Sequence, residues 1–275
     1  MAGALDPPIL PNPPGPGLPR SGMALPSPGQ RLFLFDIDNT LLYTGGAGSR
    51  AMDIAFERLH GVAKAFADIS LAGRTDTAIL RDALTLHNLL DGSFSPLLRR
   101  FRASYCRHLA RTLGESQGQV LPGVQQLLDA LGSAGELLGL ATGNFRRSAF
   151  MKLRHYRLDG YFLHSPEGSA ATGPAAPQRL ALAGAFGDDA EERARIVALA
   201  ARRLARRAGR PLSGCRLYVV GDTPGDIAAA TANGACAIGV ATGSYSCADL
   251  TGAGAHLVLP DLGDKAGVLA ALATL

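Results

Sequence analysis

The chain has 275 residues, of which 47% are hydrophobic and 18% charged, and its formal net charge is +4. This composition supports a large buried core, and the weak, diffuse charge argues against a nucleic-acid-binding protein. No stretch approaches the roughly 18 consecutive apolar residues of a membrane-spanning helix, and the N-terminus lacks the pattern of a secretory signal. None of the four cysteines forms a CxxC pair. We therefore expect a reduced, cytoplasmic protein that binds neither nucleic acid nor a membrane.

The chain begins with a segment that shows almost no periodic apolar pattern. Residues 1–29 contain nine of the 17 prolines, which predicts a disordered tail. After it, apolar strands alternate with helices. The predicted strands are Leu32–Phe35, Leu137–Ala141, Leu217–Val220, Ala235–Val240 and His256–Leu259, and the predicted helices include Val124–Gly132, Arg147–Tyr156, Ala190–Ala208 and Asp226–Asn233. This alternation predicts an α/β fold with a doubly wound parallel sheet.

The segment between the first two predicted strands is far longer than a crossover requires. Most of residues 45–120 has a helical pattern, so we expect a small helical domain inserted into a main domain made of residues 30–44 and 121–275. A second irregular segment, Ser165–Arg179, is rich in Gly, Pro, Ala and Ser and predicts a flexible loop.

Two carboxylates follow the first strand, in the sequence "FDIDNT". Side chains two apart on an extended segment point to the same side, so Asp36 and Asp38 can face one small site. Neighbouring acids repel, which is tolerated if a divalent cation lies between them or if one keeps a proton, and Mg²⁺ prefers a few carboxylates together with phosphate oxygens. One acid can then act as a nucleophile while the other transfers a proton. The alternative is a pair of aspartates that stabilise a turn or a helix N-terminus.

Polar residues also follow two later strands. In "LATGN", the hydroxyl of Thr142 and the backbone N–H groups of Gly143 and Asn144 can hold a phosphoryl oxygen, or Thr142 is an ordinary helix N-cap. In "VVGDTPGD", Asp222 can bind a cation directly. Asp226 either contributes to the same metal site or caps the helix that begins at Ile227. Ligands of doubly wound sheets bind at these strand ends.

Together these motifs resemble the haloacid dehalogenase superfamily, and within it the phosphoglycolate-phosphatase-like branch. The resemblance extends from Arg31 to the C-terminus: "DIDNT" matches a DxDx[TV] motif, "LGLAT" a strand that ends in Thr or Ser, and "VVGDTPGD" a GDxxxD motif. The helical insertion lies where that branch has its cap domain, and "AGRTDTAI" resembles the Gly-Arg-Thr-Asp loop of that cap.

The resemblance implies a role for each matching residue. Asp36 would be the nucleophile that becomes an aspartyl phosphate. Asp38 would protonate the leaving alcohol and activate water, and its backbone carbonyl would bind Mg²⁺. Thr142 would hold the phosphoryl group, and Asp222 would complete the metal site.

Three arginines are further candidates for the site. The family expects a Lys or Arg before its GDxxxD motif, yet no lysine lies between Lys152 and Lys265. Arg193 is therefore the candidate catalytic cation, with Arg195 as the second choice. Arg74 in the "GRTD" loop can bind an anionic group of the substrate, or it is a solvated loop residue, and Asp76 can cap the helix that follows.

These observations predict a Mg²⁺-dependent phosphatase that acts on a small phosphorylated metabolite. A sugar-phosphate mutase would share Asp36 and Asp38. A haloacid dehalogenase is disfavoured because its reaction needs neither a metal nor an acid at position 38. A binding protein that kept the fold without catalysis is the remaining alternative.

Overall fold

The computed structural model describes residues 29–164 and 181–275. The strands are β1 Gln30–Phe35, β2 Leu42–Tyr43, β3 Gln119–Val120, β4 Leu137–Ala141, β5 Leu163–His164, β6 Ala181–Leu182, β7 Gly184–Ala185, β8 Cys215–Gly221, β9 Cys236–Val240 and β10 Leu257–Leu259. The α-helices are α1 Ala47–His60, α2 Asp76–Leu86, α3 Phe94–Glu115, α4 Val124–Ser133, α5 Arg146–His155, α6 Arg193–Arg207, α7 Pro224–Ala232, α8 Cys247–Gly252 and α9 Lys265–Ala273. The predicted tail, apart from Gly29, and the predicted loop Ser165–Arg179 lie outside the described residues.

In the part of the chain that the structure describes, the main sheet has six strands in the order β10-β9-β8-β1-β4-β7, and every pair in it is parallel. Strand β1 lies between β4 and β8, with Phe35 opposite both Leu140 and Val220. The predicted doubly wound α/β fold is confirmed. This strand order brings the carboxyl ends of β4, β1 and β8 side by side at one edge of the sheet.

Both faces of the central strand are buried, as its continuous apolar run predicts. Phe33 and Phe35 belong to an apolar cluster on one face, while Leu32 and Leu34 belong to the cluster on the other. The first cluster includes residues of α4, α5 and α9, and the second includes residues of α6, α7 and α8. The sheet is therefore covered by helices on both sides, which leaves its strand ends as the accessible edge.

Sequence patterns located the long elements within a few residues and missed the short strands. The edge strand β7 has only two residues, Gly184 and Ala185, which is too short to show any apolar period. Helix α7 starts at Pro224, before the predicted start, because proline is favoured at the first helical position and Thr223 caps the helix. Within the described residues, no helix is both long enough and apolar enough to cross a membrane.

Helices α1, α2 and α3, which we call the inserted helices, lie in the chain between β1 and β4. They supply most of a third apolar cluster, which includes Phe56, Leu80 and Phe101 and is joined by Phe145 at the start of α5. Where the chain enters and leaves them, β2 and β3 pair antiparallel, with Leu42 opposite Val120. The short ribbon lies at the two predicted domain boundaries. The division into two domains at residues 45 and 120 stays a prediction.

Candidate active site

Three predicted residues meet because their strands are neighbours in the sheet. Asp36 follows β1, Thr142 follows β4 and Asp222 follows β8, and all three are at least nine-tenths buried. The backbone N–H of Asp36 donates to the carbonyl of Val220 at 2.9 Å, which extends the pairing of β1 with β8 by one residue. Each polar side chain therefore comes directly after a buried apolar strand whose packing fixes its position.

Asp36, Asp222 and Asp226 form a compact group of carboxylates, with one oxygen of each within 4.8 Å of the others. The hydroxyl of Thr40 donates to Asp222 Oδ1 at 3.3 Å. Asp226 also stabilises the start of α7, because its Oδ2 accepts hydrogen bonds from the backbone N–H and the hydroxyl of Thr223. The two interpretations of Asp226 are therefore compatible: one oxygen takes part in the helix cap, and the carboxylate still belongs to the acidic group.

Arg193, the first residue of α6, contacts this group. Its Nη2 lies 2.9 Å from Asp36 Oδ1 and 2.5 Å from Asp226 Oδ1, and only 9% of its side chain is exposed. The nitrogen donates a hydrogen bond to Asp226, whereas its contact with Asp36 is an ion pair without hydrogen-bond geometry. Among the described residues, neither Asp36 Oδ1 nor Arg193 Nε has a hydrogen-bond partner. Arg195, the second choice, is exposed.

The charges in this group do not balance. Burial raises the pKa of Asp36 to about 6, although nearby Arg193 opposes the shift. Burial, with repulsion from Asp36 and Asp226, raises the pKa of Asp222 to about 8. Burial lowers the pKa of Arg193, but the two neighbouring aspartates outweigh it and raise that pKa above its ordinary value. Three carboxylates against one guanidinium leave an excess of two negative charges when all are ionised.

A divalent cation fits this arrangement. Mg²⁺ binds carboxylate oxygens, and its two charges equal the excess of the group. The buried carboxylate of Asp36 can offer an oxygen to the ion, and those of Asp222 and Asp226 lie next to it. The side chain of Asp38 is not part of the group, so only its backbone carbonyl remains as its candidate ligand.

Asp38 instead belongs to a second polar network, beside the first. Lys152 Nζ lies 2.8 Å from Asp38 Oδ1 and 2.6 Å from Asp38 Oδ2. Asn144 Nδ2 donates to Asp38 Oδ2 at 2.8 Å and to Thr142 Oγ1 at 2.9 Å. The cation that faces Asp38 is therefore Lys152, whereas Arg193 faces the group around Asp36.

The turn after β4 offers one hydrogen-bond donor to the site, the hydroxyl of Thr142. Thr142 Oγ1 accepts from the backbone N–H of Asn144 as well as from its Nδ2. Because both bonds use the oxygen as acceptor, the hydroxyl proton of Thr142 is available for a ligand oxygen. Gly143 lets the backbone of Arg74 approach this turn closely, since a Cβ at Gly143 would lie 2.0 Å from the carbonyl oxygen of Arg74.

A cavity of about 560 Å³ connects the strand ends to the inserted helices. Arg74 lies in its wall, and its Nη2 bonds to Asp82 Oδ2 at 2.5 Å. The prediction that Asp76 caps α2 is wrong, because the hydroxyl oxygen of Thr75 accepts from the backbone N–H of Ala78. Thr75 can form this bond because it occupies the N-cap position, one residue before Asp76.

Asp76 connects the "GRTD" loop to the main sheet. Its Oδ2 accepts from the backbone N–H of Phe145 at 2.9 Å, and its own N–H donates to the carbonyl of Gly143 at 2.8 Å. Burial raises the pKa of Asp76 to about 7, against the opposing effect of nearby Lys152. The predicted substrate loop is therefore anchored to the turn that contains Thr142.

Sequence reasoning gave no role to two polar residues of the site, Thr40 and Lys152. A signal for Lys152 existed, because it lies on the buried stripe of α5 with Ser148, Ala149 and Leu153. A lysine on such a stripe requires a partner. The bond from Thr40 to Asp222 depends on the pairing of β1 with β8, which the local sequence does not specify.

The chain is similar to known proteins in sequence and in fold. The family model for haloacid dehalogenase-like hydrolases matches residues 30–234. Comparison with curated proteins finds no significant match.

Three solved structures illustrate the similarity in fold. A hydrolase from Pseudomonas syringae is 21% identical, with a TM-score of 0.61 over 88% of this chain and 99% of that one. A predicted phosphoglycolate phosphatase from Haemophilus somnus is 16% identical, with a TM-score of 0.58 over 90% and 100% of the two chains. A β-phosphoglucomutase candidate from Bacteroides vulgatus is 18% identical, with a TM-score of 0.60 over 90% of each chain. At these identities the likeness establishes the fold alone.

The family match includes the ends of β1, β4 and β8 and therefore every carboxylate of the acidic group. It covers well over half of the chain. The chain belongs to the haloacid dehalogenase-like hydrolase family.

Proposed function

We propose that the protein is a Mg²⁺-dependent phosphatase that hydrolyses a small organic phosphomonoester through an aspartyl phosphate on Asp36. The observation that carries this proposal is the buried Asp36 Oδ1, which lies 2.9 Å from Arg193 and accepts no hydrogen bond among the described residues. A buried carboxylate oxygen with a cation beside it and no donor bound to it is suited to attack an electrophile. The acidic group around it supports a metal-assisted reaction.

In the first step, an Asp36 oxygen attacks phosphorus and the bond from phosphorus to the alcohol oxygen breaks. Arg193 and the hydroxyl of Thr142 stabilise the charge on the phosphoryl oxygens, which is the main catalytic requirement of phosphoryl transfer. Asp38 donates a proton to the leaving oxygen. The products of this step are the free alcohol and phosphorylated Asp36.

In the second step, Asp38 accepts a proton from water, which attacks the phosphorus of the aspartyl phosphate. The bond between Asp36 and phosphorus breaks, and inorganic phosphate and the original carboxylate are released. Asp36, Asp222, Asp226 and the carbonyl of Asp38 are the candidates to hold Mg²⁺. When bound, the ion would neutralise charge on the phosphoryl group and the carboxylates and orient them for in-line transfer.

The substrate proposed for this site is a small phosphorylated metabolite, with phosphoglycolate as the first candidate. A cavity of about 560 Å³ suits a small molecule, and Arg74 lies in its wall with a guanidinium that can bind a second anionic group. The predicted phosphoglycolate phosphatase from Haemophilus somnus shares this fold. A sugar-phosphate mutase is the second candidate, because the β-phosphoglucomutase candidate from Bacteroides vulgatus shares it as well.

The direct test is a phosphate-release assay over a panel of phosphorylated metabolites, with Mg²⁺ and with excess EDTA. We expect release that requires Mg²⁺ and disappears in a folded Asp36→Asn variant. An isomerised sugar phosphate without free phosphate would support the mutase. Release of chloride from a chlorinated carboxylic acid in excess EDTA would support a dehalogenase and contradict the proposal.

A further inference from the structure

Lys152 is a buried cation that the proposed reaction has not used. It lies in α5, on the same helical stripe as the apolar Ala149 and Leu153, and the whole residue is only 3% exposed. Lysine is almost never buried at this level without charged or polar partners. A buried lysine at the edge of an active site therefore needs an explanation.

All three protons of the Lys152 ammonium have acceptors within the protein. The nitrogen lies 2.8 Å and 2.6 Å from the two carboxylate oxygens of Asp38, and 2.6 Å from Asn144 Oδ1. An ammonium carries three donors and no acceptor. Lys152 therefore has no donor left for a substrate oxygen in this arrangement, which argues against direct substrate binding.

The same contacts fix the orientation of Asp38. Lys152 binds both carboxylate oxygens, and Asn144 Nδ2 also donates to Asp38 Oδ2 at 2.8 Å. Rotation of the carboxylate would break bonds to at least one of these partners. Because Asn144 also bonds to Thr142, the orientation of Asp38 is coupled to that of the hydroxyl proposed to hold the phosphoryl group.

The inserted helices also lie close to the ammonium. A Cβ built on Gly48, in the first turn of α1, would lie 3.4 Å from Lys152 Nζ and 3.7 Å from the hydroxyl of Tyr105. Gly48 and Tyr105 belong to α1 and α3, whereas Lys152 belongs to α5. The cation thus lies between the inserted helices and the main sheet, where its partners are fixed by packing.

We propose that Lys152 is a positioning residue that acts through Asp38 and holds its carboxylate in the orientation for proton transfer. This inference rests on the proposed phosphatase reaction, in which Asp38 exchanges protons with the leaving alcohol and with water. Misplacement of a reacting group by about 1 Å can cost about 10²-fold in rate. Loss of Lys152 should therefore lower kcat by about that factor, and it should change KM little because the phosphoryl-binding residues remain.

The test is a double-mutant cycle of Lys152→Met and Asp38→Asn, measured as kcat and KM on the best substrate of the phosphate-release panel. Methionine keeps the long apolar stem and removes the charge and all three donors. We expect Lys152→Met to lower kcat by about 10²-fold in the native background and by less than about threefold in the Asp38→Asn background. Arg154→Met is the matched control, since Arg154 is a cation of the same helix with 69% of its side chain exposed.

A binding measurement separates positioning from substrate recognition. Calorimetric titration with tungstate, a phosphate analogue, should give affinities for Lys152→Met and the native protein within about threefold of each other. Equal losses of kcat from Lys152→Met in both backgrounds would overturn the proposal. A raised KM with unchanged kcat would also overturn it, because Lys152 would then bind the substrate.

Folding of the variants does not limit the test. If Lys152→Met alone fails to fold, Asp38→Asn is compared with the double variant, which has lost both charges of the pair. Equal kcat values of Asp38→Asn and the double variant would support positioning through Asp38. A kcat of the double variant that is lower by more than about tenfold would overturn it. Absence of phosphate release by the native protein would instead refute the phosphatase assignment, so the two failures are distinguishable.

Discussion

Replacement of Arg193 tests how the charges of the acidic group are balanced. Among the described residues, Arg193 is the only cation beside Asp36, Asp222 and Asp226, and Arg193→Met removes it. The ion pair is buried, because the side chains of Arg193 and Asp226 are 9% and 1% exposed. Removal of one partner of a buried ion pair costs about 3–5 kcal/mol. For a chain of this size, that loss corresponds to a decrease in Tm of about 6–20 °C. Thermal unfolding in EDTA measures it, and phosphate release in Mg²⁺ should also be lost.

Two further variants make this prediction specific. Arg195→Met removes an exposed arginine of the same helix, so it should change stability by less than about 0.5 kcal/mol and leave activity intact. Combining Arg193→Met with Asp226→Asn removes both charges of the pair, which should restore much of the stability without restoring activity. Equal stability and activity of the two arginine variants would refute the proposed role of Arg193.

The remaining predictions concern the acid-base residue, the metal and the substrate. Asp38→Asn should lower kcat by about 10²–10⁴-fold while Mg²⁺ still raises Tm, and loss of that Tm increase would show that the Asp38 carboxylate binds the metal. Because the pKa values of Asp36 and Asp222 are raised to about 6 and about 8, the metal-free fold binds more protons than the unfolded chain between about pH 4 and pH 8. Its stability should therefore fall as pH rises through this window, and Mg²⁺ should raise Tm more at pH 8 than at pH 5; an equal increase at both pH values would contradict this account. Arg74→Ala should lower kcat/KM at least about tenfold for phosphomonoesters with a carboxylate and barely affect an aryl phosphate, whereas a uniform loss would assign Arg74 to the packing of its loop.

The site residues at the strand ends could be predicted from the sequence. Local apolar patterns locate the strands, and ligands of doubly wound sheets bind at the carboxyl ends of the strands. Continuous apolar runs identify β1, β4 and β8, and the polar residue after each run falls at the carboxyl edge of a parallel sheet. The order of the strands, which makes Asp36, Thr142 and Asp222 neighbours, comes from the structure. Resemblance to a family supplied the roles of these residues.

The second network could not be predicted because its contacts join segments that are distant in the chain. Asp38 and Lys152 are 114 residues apart, and their contact depends on how α5 packs against the sheet. Asp76 illustrates a different difficulty. Thr75 and Asp76 are both good N-cap residues. Thr75 caps α2, and the carboxylate of Asp76 instead accepts a hydrogen bond from the N–H of Phe145, which lies outside that helix.

The central claim is that Asp36 becomes phosphorylated during turnover. The most direct measurement starts from a reaction of the protein with Mg²⁺ and its best substrate, which is stopped during turnover. The sample is then reduced with borohydride, and its peptides are sequenced by mass spectrometry. Borohydride converts an aspartyl phosphate to homoserine and leaves a free carboxylate unchanged. We predict homoserine at position 36 only when substrate is present, and none in Asp36→Asn. Homoserine at Asp38 or Asp222, or none at any position during active phosphate release, would contradict the account.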